Sequence, residues 1–225
     1  MYRISKLRHN GNVKSVIAIF LIVGIVIGSY FGLQLVLNTS VPFRVVESGS
    51  MCVTFDGACD GWSHSFAPTL HKGDIIIIQK VNPADLKTNY PNSDIIVYKS
   101  PNDPTGTPIV HRIAAVQEIN GTLYFQTKGD GNPSAKYPAM PSEGEWDSNT
   151  LWHTGQGVTG DAIEGKVVMR VPLFGWVTLL MRQNSLVLPL VIGIIMLLVV
   201  LEFVIPIIKD KRKAKETVSS FPFFV

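Results

Sequence analysis

The sequence predicts a mainly β domain, barrel-like in its strand pattern, held between two transmembrane helices. Three observations lead to this fold class. Two long apolar runs lie near the two ends of the 225-residue chain, at 16–37 and 185–208, and each is long enough to cross a bilayer as a helix. Each run carries a basic flank on its terminal side. The residues between the runs form short β-branched segments separated by Gly/Pro turns, without a long helical pattern.

The first segment, 1–15, contains four Lys/Arg and no acid, so it predicts a cytoplasmic N-terminus. The run at 16–37 is longer than the apolar part of a cleaved signal peptide, which is typically ~7–15 residues, so we interpret it as an uncleaved anchor. A cleaved signal is the alternative. The basic tail at 209–225 follows 185–208 and predicts a cytoplasmic C-terminus. Both flanks therefore place 38–184 on the extracytoplasmic side of the cell membrane.

The net charge of +3 comes from the two basic flanks. Residues 38–184 contain eleven basic and fourteen acidic residues, which gives this segment a net charge of −3. A basic total of this origin indicates membrane flanks, and nucleic acid is not an expected partner.

Inside 38–184 the β-branched runs predict a series of short strands. An Asn120-Gly121 pair between two of them is typical of a hairpin turn. The predicted strands are 74–81, 94–98, 109–116, 122–127 and 162–171, and the Gly/Pro/Ser-rich stretch 131–160 predicts a long irregular loop.

Cys52 and Cys59 lie on the predicted outer side, where disulfides form. Our first interpretation is a small disulfide-closed loop. A zinc site that adds His64 and His71 is the rival, although the spacing matches no short Cys-x-x-Cys unit. Two free thiols are the third alternative.

The candidate chemistry begins at Ser50, in a Ser/Gly turn about ten residues after the first apolar run. A serine becomes a nucleophile when a base takes its proton and a third group orients that base. His111 lies inside an apolar strand pattern and Asp130 lies in a Gly-rich turn. Each of the three alone is more often structural, but they occur in this order within one external domain.

Five segments share the order and spacing of the type I signal peptidases, and the chain resembles the archaeal and endoplasmic-reticulum branch of that family, with His where the bacterial branch has Lys. The resemblance covers most of 43–176. The matching segments are Ser48-Gly49-Ser50-Met51, 68–74, Val110-His111-Arg112, Thr127-Lys128-Gly129-Asp130, and 165–168 with 171–175.

The resemblance implies that Ser50 is the nucleophile, His111 the general base and Asp130 the group that orients it, with the oxyanion held by the Ser48 hydroxyl and the Ser50 N–H. It implies a membrane-bound serine endopeptidase that cleaves signal peptides after a small-x-small motif and needs no metal or organic cofactor. Its partners would be preproteins, the bilayer and the protein-export channel. A Ser/Lys dyad with Lys128 is disfavoured, because the lysine branch carries its Lys where this chain has His111.

The chain departs from the family pattern in two places. Residues 52–67 look like an insertion that carries both cysteines. The branch commonly has a second aspartate shortly after the first, but 131–136 contain no acid, so either Asp130 suffices or another acid such as Asp161 completes the triad. Asn38 and Asn120 begin Asn-x-Ser/Thr sequons, whose glycosylation the sequence leaves open.

Two other functions fit parts of the sequence. One is a non-enzymatic, membrane-tethered β domain that binds or scaffolds a partner, in which Ser50 and His111 would be structural. The other is a self-cleaving Ser/Lys protease of the repressor type, which the two apolar runs disfavour because those proteins are soluble.

Overall fold

The computed structural model describes residues 11–53, 59, 69–100, 103, 105–132, 136–142, 145–147 and 156–219. The chain divides into two compact units. One unit comprises 1–27 and 180–225, and the other comprises 28–179. Most of the insertion predicted at 52–67, together with His64, lies outside the described residues.

Three α-helices lie near the chain ends, α1 (Gly11–Val36), α2 (Trp176–Gln183) and α3 (Val187–Ser219). In the described part of the chain, one helical segment is long and apolar enough to cross a membrane by itself, Ile17–Val36 of α1, with a mean hydropathy of 2.3. The second predicted span, 185–208, falls mostly in α3. It meets the same criteria only when α2 and Val187–Glu202 are taken together as one bent span. The chain is therefore membrane-anchored through its N-terminal helix.

The unit 28–179 is built on one antiparallel sheet that forms a half-barrel. Among the described residues the sheet has seven strands in the order β1-β2-β7-β3-β4-β5-β6. All five predicted runs contain a strand, whereas β1 was not predicted and β6 lies inside the predicted loop 131–160. The strands are β1 (Phe43–Val45), β2 (Ile75–Gln79), β3 (Ile95–Tyr98), β4 (Ile109–Ile119), β5 (Thr122–Lys128), β6 (Val158–Thr159) and β7 (Ile163–Val171), and the 3-10 turns are Pro83–Asp85 and Gly160–Ala162.

The central strand β3 is buried on both faces. Ile96 and Tyr98 belong to one apolar cluster with Phe125, and Val97 belongs to a second cluster with Met51. Successive side chains of a strand point to opposite faces, so β3 connects the two halves of the core. This explains why its sequence is a continuous apolar run.

The β4–β5 hairpin aligns the strands that carry the candidate site. Asn120 and Gly121 both have positive φ, 50° and 78°, as a two-residue hairpin turn of type I′ requires. The register pairs Ile113 with Thr127 and Arg112 with Lys128. Because side chains alternate along a strand, His111 shares a face with Ile113 and Thr127, while Arg112 and Lys128 lie on the other face.

Candidate active site

Ser50 lies in a tight turn after β1. The turn is closed by the Cys52 N–H, which donates to the Gly49 carbonyl at 2.9 Å. The Ser50 carbonyl in turn accepts the Gly131 N–H at 2.9 Å. A Cβ on Gly129 would lie 2.5 Å from the Ser50 carbonyl oxygen, so only glycine permits this close approach. The loop after β5 therefore fixes the main chain of Ser50.

A disulfide joins Cys52 to Cys59 directly beside this turn. The Cys59 carbonyl accepts the Lys72 N–H at 3.2 Å, and a Cβ on Gly49 would lie 3.1 Å from the Cys59 Cβ. The disulfide thus ties the segment after Ser50 to the stretch that precedes β2. Within the described residues, no group of three or more His, Cys, Asp or Glu side chains could hold a metal ion.

His111 forms a hydrogen bond to Ser50. The distance between His111 Nε2 and Ser50 Oγ is 2.9 Å, and the His111 side chain is 6% exposed. The other ring nitrogen, Nδ1, contacts Oδ2 of Asp147. The two ring nitrogens therefore connect a serine hydroxyl on one side to a buried carboxylate on the other.

The carboxylate beside His111 differs from the one the sequence predicted. Asp130 forms a bidentate pair with Arg112, with Nε–Oδ1 and Nη2–Oδ2 distances both 2.8 Å. The physical reason is strand alternation: Arg112 follows His111 directly and so points to the opposite face, where Asp130 meets it. Asp161, the other acid considered, is exposed on the 3-10 turn Gly160–Ala162.

Besides its contact with His111, the Asp147 carboxylate has three polar side-chain neighbours. Thr127 Oγ1 donates to its Oδ2 at 2.7 Å, and the Tyr98 hydroxyl lies 3.5 Å from the same oxygen. Asn132 Nδ2 donates to Oδ1 at 3.4 Å. Sequence reasoning missed this residue because it belongs to the stretch interpreted as an irregular loop and matches no motif. The missing second acid at 131–136 was the one signal that another acid was needed.

The opposite face of the hairpin carries buried cations. Burial alone lowers the pKa of Arg112, but its hydrogen bonds to Asp130 and the charge of that carboxylate outweigh this effect and raise it. Burial lowers the pKa of Lys128, whose Nζ donates to the carbonyls of Gly129 and Asn132, each at 3.3 Å. Both cations therefore stabilise the loop after β5, which contacts Ser50 and Asp147.

An open cavity of about 530 Å³ adjoins the serine. One wall is formed by residues 45–48, Ser50 and Met51, and the other by residues 107–111, with Asn132 also in the lining. Ser48 lies in the first wall, with its hydroxyl 3.2 Å from that of Ser50. The cavity has the size of a binding site for a few residues of extended peptide.

A serine hydroxyl, an imidazole and a buried carboxylate in one hydrogen-bonded row, at the rim of an open cavity, form the constellation of the Ser-His-Asp hydrolases. A membrane-anchored β domain with this arrangement belongs to the class of serine hydrolases.

Comparison with known proteins finds distant relatives within that class. The chain is 28% identical over 172 residues to the signal peptidase complex catalytic subunit SEC11 of Fusarium vanettenii, which covers 76% of this chain and 81% of the relative. It is 29% identical over 168 residues to the SEC11 protein of Schizophyllum commune, covering 68% and 70%. The SEC11 protein of Verticillium alfalfae is 27% identical over 172 residues, covering 76% and 81%. No family model matches the chain.

The chain is a distant homologue of the SEC11 signal peptidase catalytic subunits. The resemblance to the endoplasmic-reticulum branch of the type I signal peptidases is therefore confirmed, and with it the assignment as a serine peptidase.

Proposed function

We propose that this chain is the membrane-bound endopeptidase that removes N-terminal signal peptides from exported preproteins, with Ser50 as its nucleophile. The observation that carries the proposal is the 2.9 Å contact between His111 Nε2 and Ser50 Oγ. A serine hydroxyl is a weak nucleophile by itself, and a hydrogen-bonded imidazole at this distance can take its proton as attack begins.

In the proposed mechanism, Ser50 Oγ attacks the scissile carbonyl while His111 accepts the hydroxyl proton. His111 then donates that proton to the leaving amine, and the acyl-enzyme is released by a water molecule that the same imidazole activates. The reaction needs no metal or organic cofactor.

We assign the orienting role to Asp147, in place of Asp130. Its contact with Nδ1 supports this assignment, because a carboxylate there keeps the Nδ1 proton in place and leaves Nε2 free to accept from Ser50. The carboxylate also stabilises the imidazolium that forms during attack. The Thr127 hydrogen bond of 2.7 Å holds the carboxylate in this position.

The oxyanion is proposed to be stabilised by the Ser50 N–H and the Ser48 hydroxyl. The 3.2 Å separation of the Ser48 and Ser50 hydroxyls supports this, since a second donor must lie close to the attacked carbonyl. Loss of one oxyanion donor typically costs ~10²–10³-fold in kcat.

The substrate is proposed to bind as an extended strand between the two walls of the cavity. The Val46 N–H donates to the Asp74 carbonyl and the Val46 carbonyl accepts the Gly73 N–H, both at 2.9 Å, so Val46 is held by the residues that precede β2. Its neighbours Val45 and Glu47 line the cavity, and their main-chain groups are proposed to pair with the peptide. On the opposite wall, β5 pairs with β4 only from Arg112 onward, which leaves the edge at Ile109 available to a peptide. The small side chains that end a signal peptide would then lie between the two walls.

The proposed topology has two spans, 16–37 and 185–208, with the cytoplasmic segments 1–15 and 209–225 and the catalytic domain 38–184 outside the cell membrane. The basic flanks support it. Anchoring enzyme and preprotein in one bilayer raises their effective concentration and fixes the height of cleavage. The protein-export channel is a further proposed partner, since it delivers preproteins to the same membrane.

The test uses the full chain in detergent with a preprotein that carries an Ala-x-Ala site. Ser50→Ala and His111→Ala should each lower kcat/KM by at least ~10³-fold, whereas Ser185→Ala, a change of the same size at an exposed serine that lines neither cavity, should have no effect. Cleavage retained by both active-site variants would refute the mechanism. Absence of cleavage by the unsubstituted chain, with preprotein binding intact, would favour the non-enzymatic binding module instead.

A further inference from the structure

A second cavity, of about 510 Å³, lies in the unit 28–179 and has no part in the proposed mechanism. It is lined by the chain that leaves α1, by the residues that follow β2 and β3, and by the start of β7. Its charged lining residues are Arg44, Lys80, Lys99, Asp161 and Glu164.

The positive charges of this cavity are only partly compensated. Arg44 Nη2 pairs with Glu164 Oε2 at 2.7 Å. Lys80 and Lys99 are both exposed, and neither forms an ion pair with any carboxylate of the described residues. Asp161 is the remaining acid of the lining, so two unpaired ammonium groups face one carboxylate and the cavity favours an anion.

Arg44 offers a further donor for such an anion. Its side chain lines the cavity and is 30% exposed, so Arg44 adds a third positive charge to the lining. A guanidinium and two ammonium groups that line one cavity can meet the several oxygens of a phosphate.

The cavity lies next to the end of the helix that anchors the chain in the membrane. The apolar span ends at Val36, and the cavity lining begins two residues later at Asn38. The Lys80 N–H donates to the Leu37 carbonyl at 3.0 Å, which ties that lysine to the end of the helix. Tyr30 of α1 stacks on Phe43 of β1 with ring centroids 6.4 Å apart, and aromatic rings of this kind concentrate at the membrane–water interface.

We infer that this cavity is a phosphate-binding site, and that a phospholipid headgroup of the surrounding bilayer supplies the phosphate. Juxtamembrane Lys and Arg residues attract anionic headgroups within a Debye length of the surface. Occupancy would fix the depth of the sheet relative to the lipid. The inference rests on the charges and their position, and it stands whether or not Ser50 is the nucleophile.

The experiment measures lipid binding to the full chain in detergent by native mass spectrometry. The probes are phosphatidylglycerol and, as a match without phosphate, diacylglycerol. Lys80→Ala/Lys99→Ala should weaken phosphatidylglycerol binding roughly tenfold and leave diacylglycerol binding unchanged. The control Lys87→Ala/Lys136→Ala removes the same charge from exposed lysines of this unit that do not line the cavity.

A second arm adds inorganic phosphate to distinguish the two sources. Failure of millimolar phosphate to displace phosphatidylglycerol supports the headgroup as the ligand, whereas displacement supports a soluble phosphate compound at the same site. Equal phosphatidylglycerol binding by the two double variants would overturn the inference, as would equal binding of phosphatidylglycerol and diacylglycerol by the unsubstituted chain.

Discussion

Thr127 and Asp147 are joined twice, once through their side chains and once through their main chains. Thr127 Oγ1 lies 2.7 Å from Asp147 Oδ2, and the Asp147 N–H donates to the Thr127 carbonyl at 2.8 Å. Two bonds to one strand residue give a loop carboxylate a defined position beside His111. The strand β5 therefore supplies the support for the proposed triad, although it contributes none of the three side chains.

The first prediction concerns Asp147→Asn. An amide at this position favours the wrong imidazole tautomer and cannot stabilise the imidazolium, so kcat for preprotein cleavage should fall by ~10³-fold or more. The fold should survive, because the amide oxygen can still accept from Thr127. The measurement is single-turnover cleavage together with thermal unfolding, and Asp161→Asn is the control. A kcat within threefold of the unsubstituted chain would exclude Asp147 as the orienting group.

The second prediction tests whether Asp130 has a structural role and Asp147 the orienting role. Asp130→Asn leaves the buried Arg112 without its counter-ion, a change that typically costs ~3–5 kcal/mol of unfolding free energy. Protein that remains folded at low temperature should keep a kcat within about tenfold. The measurement is denaturant unfolding in detergent followed by cleavage well below the midpoint. Unchanged stability with lost cleavage would restore Asp130 as the group that orients His111.

Strand alternation explains why the sequence predicted two members of the proposed site and missed the third. The β-branched run at 109–116 made β4 recognisable, and Asn120-Gly121 marked its hairpin. His111 and Arg112 then had to face opposite sides, but the sequence did not reveal which acid lay on which side. That depends on the path of the chain after β5, which tertiary packing determines.

The two shortest strands of the sheet were also not predicted from the sequence. β1 has three residues and β6 has two, so neither shows a period that could be recognised in the sequence. β1 becomes a strand because it pairs with β2 in register, Arg44 opposite Ile76. The helix α1 could be predicted without knowledge of its contacts, since length and hydropathy mark 17–36 as a candidate membrane span.

The third prediction tests Thr127 as a positioning residue. Thr127→Val keeps the shape of the side chain but removes the donor to Asp147, so the carboxylate becomes less well ordered. We expect kcat to fall about five- to twentyfold with KM unchanged, as expected when positioning rather than binding is lost. Thr122→Val, at an exposed position of the same strand, is the matched control. An equal loss in both variants would indicate a general effect on the sheet.

The fourth prediction concerns the disulfide beside the nucleophile turn. Cys52→Ser/Cys59→Ser should lower the unfolding free energy by about 2–3 kcal/mol, the chain-entropy value for a loop of this length. Because Gly49 lies against Cys59, we also expect a lower kcat with little change in KM. Mild reduction of the unsubstituted chain should reproduce both effects and leave the double variant unaffected. A reductant effect on the double variant would mean that the effect arises elsewhere.

The fifth prediction is a pH dependence of stability. Burial, together with the negative charge of Asp130, raises the pKa of Tyr90 from 10.0 to about 12. Between these two values the folded chain keeps a proton that the unfolded chain has lost, so stability should fall as pH rises from about 10 towards 12. Tyr90→Phe removes this phenol, so the difference in unfolding free energy between the unsubstituted chain and Tyr90→Phe should decline across that window. Tyr124→Phe, on β5, serves as the control for loss of a phenol elsewhere in this unit. A difference that stays constant from pH 9 to 12 would contradict the raised pKa of Tyr90.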